Sequence, residues 1–401
     1  MSRANAESLP ALRLRHGEDR RLAAGHLWVF SNEIDVAATP LTAFAPGDVV
    51  RVVSDRDRFV GYAYVNPRSL IAARILSRDV EAPPDRSLLV RRLKMALALR
   101  RRLSDEPYYR LVFGESDLLP GLVIDRYGDV LVVEIGTAGM ERMKDDILEA
   151  LRKVVEPRAV LWRNDSSART LEGLPLYVEP AFGEVPEHIT VRENGLAFEA
   201  PLAGGQKTGW FYDQAQNRRT LLRYVAGARV LDVFSYLGAW AIAALKHGAA
   251  EATCVDSSVS ALAMGERNAA ANEVKLATIK GDAFDVLAEL KAERREFDLV
   301  ILDPPAFIKR RKDIPKGQAA YRKLNLLGMQ LLGRDGLLVT SSCSYHLSGD
   351  ELLAAIARAG RNLERHVAML EAGGQAPDHP VHPAIPETRY LKTFFCRVVR
   401  E

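Results

Sequence analysis

Val230-Leu231-Asp232-Val233-Phe234-Ser235-Tyr236-Leu237-Gly238, followed at once by AWAIAALKHG over residues 239–248, is the stretch on which the fold turns. An apolar run, a short turn and an alanine-rich segment make a strand–turn–helix unit. In such a unit the backbone N–H groups of the turn and Gly238 lie where a ligand can approach the chain closely. One glycine does not make the GxGxxG fingerprint, so the unit does not read as an NAD site. Beyond it RVLDVFS, EATCVDS, ATIKGDA, FDLVILDPP, GLLVTSSCS, HVAML and LKTFFCRVV alternate with helical text. The alternation predicts an α/β doubly wound, mostly parallel sheet over residues 195–401, with ligands at the carboxyl ends of its strands. Ser348 and Glu351 predict a capping box before LLAAIARAG.

Four of these strands end in an acid. Asp232 closes the first, and Asp256, 24 residues on, has the spacing of a carboxylate that accepts from both hydroxyls of a ribose. Asp282, beside Ala283, is placed to accept from an adenine amino group, and Asp303-Pro304-Pro305 ends the fourth strand. Singly, such an acid is more often a helix N-cap than a ligand. At four consecutive strand ends the acids point to a shared ligand.

Ahead of this domain, residues 1–82 hold short β-type runs (HLWVF, DVVRVV, FVGYAYV, LIAARIL) that predict a small all-β module closed by Pro83-Pro84. Residues 83–194 read as a small α+β central domain. It opens with a helix over Ser87–Leu103 and continues with strands at LVF, LPGLVIDRYGD, VLVVEIG and AVLWRN around a helix near Met140–Val154. Residues 1–110 carry 19 Lys and Arg against 13 Asp and Glu, and the rest of the chain 36 against 39. That basic front, with Arg91, Arg92, Lys94, Arg100, Arg101 and Arg102 on one helix, predicts RNA phosphate contacts.

No stretch of the sequence approaches the ~18 consecutive apolar residues of a membrane helix, and the first residues lack the apolar core of a secretory signal, so a cytoplasmic protein is expected. Three widely spaced cysteines, Cys254, Cys343 and Cys396, fit neither a disulfide framework nor a zinc site. His346, His379 and His382 have no compact metal spacing on one element, and no metal is expected.

With these elements in view, the chain resembles the class I S-adenosylmethionine-dependent methyltransferases, which have a Rossmann-like sheet. More closely, GGQKTGWFYDQAQNR, VLDVFSYLGAW, VDSS, GDAF, ILDPPAF, SSCS and DHP…YLKTFFCRV resemble the RlmI family of ribosomal RNA 5-methylcytosine methyltransferases. GHLWVFSNEI and GESDLLPGLVIDRYGDVLVVEI extend the resemblance over the PUA-like module and the central domain. It implies large-subunit ribosomal RNA as partner, a homodimer, and S-adenosylmethionine held by Gln206, Lys207, Thr208, Phe211, Asp232, Phe234, Ser235, Gly238, Asp256, Asp282, Ala283, Asp303 and Pro304. Leu237-Gly238-Ala239 departs from the family's threonine and two glycines.

Carbon 5 of cytosine is a poor nucleophile, so methylation there requires a thiolate first to add to carbon 6. Cys343, ending the fifth strand beside the Asp303 segment, is the expected nucleophile, with Asp303 holding the base by its N3/N4 edge. Cys254 and Cys396 sit inside apolar runs and read as core. Related enzymes often have a second cysteine after the DPP-type motif; Asp303-Pro304-Pro305-Ala306 has none. Two other readings remain open from sequence: a guanine- or adenine-directed RNA methyltransferase on the same fold, and a non-catalytic RNA-binding assembly factor.

Overall fold

In the computed structural model, which describes residues 9–202 and 208–400, the alternating apolar residues of Asp48–Val53, Phe59–Val65 and Ile71–Ser77 form the middle of a five-stranded sheet. Ala11–Arg13 joins it in parallel at one edge and Trp28–Phe30 antiparallel at the other. A second sheet runs in the order Tyr177–Phe182, Ala159–Asn164, Val130–Ile135, Leu122–Tyr127, Tyr108–Phe113. The helix Arg86–Leu103, capped by Asp85 accepting from the Leu88 N–H (3.0 Å), buries Leu89, Leu93 and Leu97. These residues join one apolar cluster with Tyr64 and Leu76 of the first sheet and Leu111, Ile124 and Val133 of the second. The shared core makes the two sheets one compact unit, which extends to Ile189 and includes Pro201–Trp210 and Asp378–Thr388.

Several buried polar groups inside this unit are paired. The Glu172 carboxylate accepts from Arg74 (2.9 Å), Asn66 (2.7 Å) and the Ala138 N–H (3.3 Å). Burial alone would raise its pKa, but Arg74 and the other donors outweigh burial and hold it below the ordinary range. Two residues expected to meet RNA are used up here. Arg92 is buried, with its guanidinium donating to the Leu76 and Leu118 carbonyls, and Arg100 is buried against the Asp117 carboxylate and the Arg110 and Asp378 carbonyls. Neither can reach a phosphate. Arg91, Lys94, Arg101 and Arg102 are exposed on the same helix. The expected helix near Met140–Val154 is two helices, Ala138–Arg142 and Lys144–Val154, because Met143 leaves helical geometry between them.

The second unit comprises Thr190–Ala200, Phe211–Pro377 and the chain from Arg389 on. The seven strands of its main sheet are β1 (Arg229–Val233), β2 (Glu251–Asp256), β3 (Ala277–Lys280), β4 (Phe297–Leu302), β5 (Leu332–Ser342), β6 (Arg365–Gly374) and β7 (Lys392–Arg400). They lie in the order β3-β2-β1-β4-β5-β7-β6. The first five are parallel; β7 runs antiparallel to both β5 and β6. Strand alternation divides the core between two faces. Leu231, Val233, Val300, Leu302 and Leu338 pack on one side, with Val230, Leu299, Ile301 and Val339 on the other. Helices α1 (Ala239–Lys246), α2 (Val259–Ala271), α3 (Ala283–Ala292), α4 (Ile314–Gln330) and α5 (Gly349–Asn362) cover the faces, and α5 begins with the expected capping box of Ser348 and Glu351. Seen from β1, the strand order reverses between β1 and β4, where the ligand crevice of such a sheet opens.

The packing of the first unit can be tested at Gly139, where a Cβ would lie 2.0–2.4 Å from ring carbons of Tyr64. By helix propensity alone Gly139→Ala would stabilise by about 1 kcal/mol. We expect instead a destabilisation of about 1–3 kcal/mol from overpacking, read as a lower midpoint of urea unfolding.

Candidate active site

The turn that leaves β1 is held in an uncommon conformation. Phe234, Tyr236 and Gly238 have φ of 64°, 50° and 76°, and for the two residues with side chains such backbone costs on the order of 1–3 kcal/mol each. The N–H groups of Phe234 and Ser235 both donate to the Val255 carbonyl (2.9 and 3.1 Å), and that of Gly238 to the Ser235 carbonyl (2.9 Å). Asp256, at the end of β2, accepts from the Tyr236 N–H and the Ser258 N–H, both at 2.9 Å. Phe211 meets the Tyr236 ring edge-on, with centroids 5.5 Å apart. The turn is thus clamped to the end of β2.

The other acids follow along the same edge. Asp282 is exposed and caps α3 by accepting from the Phe284 N–H (2.9 Å), with Ala283 buried behind it. Asp232 is fully buried; one oxygen accepts from the Ala241 N–H (3.2 Å), and burial pushes its pKa up to about 7. Asp303 accepts from Gln214 Nε2 (2.8 Å) and Trp240 Nε1 (3.3 Å). Burial and then the nearby Asp213 charge push its carboxyl up to about 6.

At the end of β5 the Cys343 thiol donates to the Pro304 carbonyl, 3.9 Å away, which puts it beside the Asp303 segment. Cys343 is partly exposed, whereas Cys254 and Cys396 are buried. Burial holds the Cys254 thiol well above its ordinary range and pushes that of Cys396 up to about 12. The SSCS turn is fixed by Tyr321, whose hydroxyl accepts from Ser342 (2.9 Å) and is hydrogen-bonded to Ser344 (2.9 Å). The Ser344 hydroxyl accepts from the Ile308 N–H (3.1 Å).

Comparison with known proteins identifies this arrangement. Residues 151–391 match the S-adenosylmethionine-dependent methyltransferase family and residues 12–78 the PUA-like domain family. The ribosomal RNA large subunit methyltransferase I of Salmonella arizonae is 34% identical over 407 residues, covering 100% of both chains. That of Erwinia tasmaniensis is 35% identical over 397 residues, covering 96% of this chain and 98% of its own. The chain belongs to the ribosomal RNA large subunit methyltransferase I family. A solved structure from Streptococcus mutans, assigned to the SAM-dependent methyltransferases, shares the fold with a TM-score of 0.81 at 23% identity, over 97% of this chain and 100% of its own.

As an S-adenosylmethionine-dependent methyltransferase of this family, the chain gathers most of the expected site residues at one sheet edge. Thr208 is in the first unit, where its hydroxyl donates to Asp125 and its carbonyl accepts from Tyr127 (3.1 Å). Gln206 and Lys207 lie outside the described residues. Three participants went unread in the sequence: Gln214 and Trp240, which donate to Asp303, and Asn217, whose amide donates to Gln214 Oε1 (2.6 Å) and fixes its orientation. The signal for Gln214 and Asn217 was GWFYDQAQNR, a polar run over residues 209–218 that leads into a helix, whereas Trp240 lies in the apolar AWAIAALK segment and carried none. Also unread was Lys309-Arg310-Arg311-Lys312 with Lys316, all exposed just after the Asp303 loop, where Asp313 is the only acid between Pro304 and Lys323.

Asp232 yields a test of the site's electrostatics. Its folded pKa of about 7 lies above the ordinary carboxylate value of 3.8, so the folded state holds the extra proton and this group's contribution to stability falls as pH rises from about 4 to about 7. Asp232→Asn, which does not titrate, is expected to gain stability relative to the parent on going from pH 5 to pH 8 in ligand-free denaturation. A difference independent of pH would contradict the assignment.

Proposed function

We propose that this protein methylates carbon 5 of a cytosine in large-subunit ribosomal RNA, with Cys343 as nucleophile and Asp303 holding the base. The single observation carrying the reading is Cys343 beside Pro304, with the other two thiols buried. The names of the curated relatives supply the substrate class. Residues 1–82 act as the PUA-like RNA-binding module, 83–194 as the central domain and 195–401 as the methyltransferase domain, in a cytoplasmic homodimer.

The crevice suits S-adenosylmethionine. One oxygen of buried Asp232 has no hydrogen-bond partner among the described residues, the Phe234–Gly238 turn presents backbone to a ligand, and Asp256 and Asp282 supply acceptors for ribose hydroxyls and an adenine amino group. Phe211, Phe234, Ser235, Ala283 and Pro304 complete the cradle. When bound, the cofactor supplies a methyl group on a positively charged sulfur.

The Cys343 thiolate adds to carbon 6 of the cytosine. An S–C bond forms and the carbon 5–carbon 6 π pair moves to carbon 5, making it the nucleophile for the methyl group that bound S-adenosylmethionine would supply, its neutral thioether being the leaving group. Asp303, mostly ionised at pH 7 with a pKa of about 6, accepts from the N4 amino group and from N3 as that nitrogen gains a proton. Each of its oxygens already accepts one hydrogen bond and has capacity for another. Loss of the carbon 5 proton to water restores the double bond and expels the thiolate. Exposed Arg91, Lys94, Arg101 and Arg102 and the Lys309–Lys312 run neutralise RNA phosphates.

RNA carrying 5-fluorocytosine should form an adduct that survives denaturing electrophoresis and requires S-adenosylmethionine, since fluorine cannot leave carbon 5 as the proton does. We expect Cys343→Ala to abolish the adduct and Cys254→Ala to retain it. A Cys343→Ala protein making 5-methylcytosine at the parental rate would overturn the reading. For the basic run, replacing Arg311 and Lys312 by Gln should flatten the log–log salt dependence of RNA affinity by about 0.7 for each phosphate no longer neutralised. An unaltered slope would remove those residues from the RNA surface.

A further inference from the structure

Strand β7 starts beside the reacting thiol. Its first residue, Lys392, stands opposite Ser342 in the β5–β7 ladder, and its Nζ donates to the carbonyls of Ser344 (2.6 Å) and Tyr390 (2.9 Å). The ammonium is therefore fastened to the residue that follows Cys343. An ammonium has three donors; among the described residues these two bonds are the ones Lys392 makes, and it has no carboxylate at ion-pair distance. A partly buried lysine held only by neutral carbonyls is costly to maintain, and an anion beside it would offset that cost.

The thiolate of Cys343 is such an anion. Burial brings the Lys392 ammonium down to about 8, with Arg389 adding to the drop, while Cys343 and then Glu351 act in the opposite direction. The other groups facing the pair are spoken for or exposed. Glu351 of α5 accepts from the Ser348 N–H and from Gln318; the Tyr321 phenol of α4 is bonded to Ser342 and Ser344; Arg389, before β7, is exposed.

We propose that Lys392 is a positioning residue for Cys343: anchored on the Ser344 carbonyl, its ammonium stabilises the thiolate as the thiol proton leaves to solvent, and so raises the reactive fraction at neutral pH. The catalytic meaning of this pairing rests on the cytosine-5 reading above. Its test does not. The rate of alkylation of Cys343 by iodoacetamide is followed against pH in the full-length protein, with Cys254 and Cys396 in the same digests as buried controls. In Lys392→Gln the midpoint for Cys343 is expected to rise by about one pH unit, the lower end for loss of an opposite charge at close range, and Lys392→Arg is expected to restore it, with the controls unlabelled throughout. An unmoved midpoint in Lys392→Gln would overturn the proposal. So would an equal rise in Lys392→Arg, or labelling of Cys254 and Cys396, since either would trace the effect to a lost anchor or a loosened fold. The assay needs neither RNA nor cofactor, so its failure leaves the 5-fluorocytosine result standing, and the reverse also holds.

Discussion

The site depends on the pairing of β1 with β4. In that ladder Val233 stands opposite Leu302 and the Asp303 N–H reaches toward the Val233 carbonyl (3.4 Å), so the turn after one strand and the acid after the other must emerge side by side. Because the strand order reverses there, the helices that follow β1 and β4 pack on opposite faces of the sheet, which is where a sheet of this kind holds its ligand. The strained turn Phe234–Gly238 has no freedom to relax, since Val255 and Asp256 of the neighbouring strand take its N–H groups. Local strain is maintained by a sheet that over-determines it.

Carboxylates at neighbouring strand ends raise an electrostatic difficulty. For Asp232 burial is the main effect, with the Asp303 and Asp256 charges adding to it; for Asp303 it is burial and then Asp213. The buried Arg218 guanidinium pulls both carboxyls down, yet both stay raised, so a cationic ligand is favoured beside them. A ligand with a positive sulfur and an ammonium group meets that requirement, whereas a dinucleotide with two phosphates would worsen it. Electrostatics and the lone Gly238 therefore argue in the same direction, against NAD and for a sulfonium cofactor.

The doubly wound domain was legible because each of its strands is an apolar run ended by a polar turn, and a parallel sheet buried on both faces demands that pattern. The acids were legible by position, although their double duty was not: Asp282 is a helix cap and Asp256 a turn clamp as well as candidate ligands. The strand Tyr177–Phe182 was not read, since Glu179-Pro180 interrupts its apolar text and most of it is not buried. The burial of Arg92 and Arg100 was available in principle. Positions 88, 92, 96 and 100 succeed one another at helical i+4 spacing, so these arginines share the face of Leu88 and Ala96. Arginine is ordinarily exposed, and in this helix the i+4 periodicity overrides that tendency at Arg92 and Arg100.

No local pattern could have brought Lys392 to Cys343, which lies 49 residues earlier in the chain. The cause is topological. A seventh strand inserted parallel to β5 would enter at the opposite end of the sheet and deliver its first residue to the floor, far from the ligand edge. Running antiparallel, β7 enters where β5 leaves, so its first residue falls opposite the last of β5, as Lys392 does opposite Ser342. Thr393, next in line, is hydrogen-bonded to Ser341 (2.9 Å) and accepts from Asn217 (3.2 Å), whose amide also orients Gln214 against Asp303. The reversal of one strand thus connects both halves of the proposed chemistry: its first residue is bonded to the Ser344 carbonyl next to the thiol, and its second is linked through two amides to Asp303, the acid proposed to hold the base.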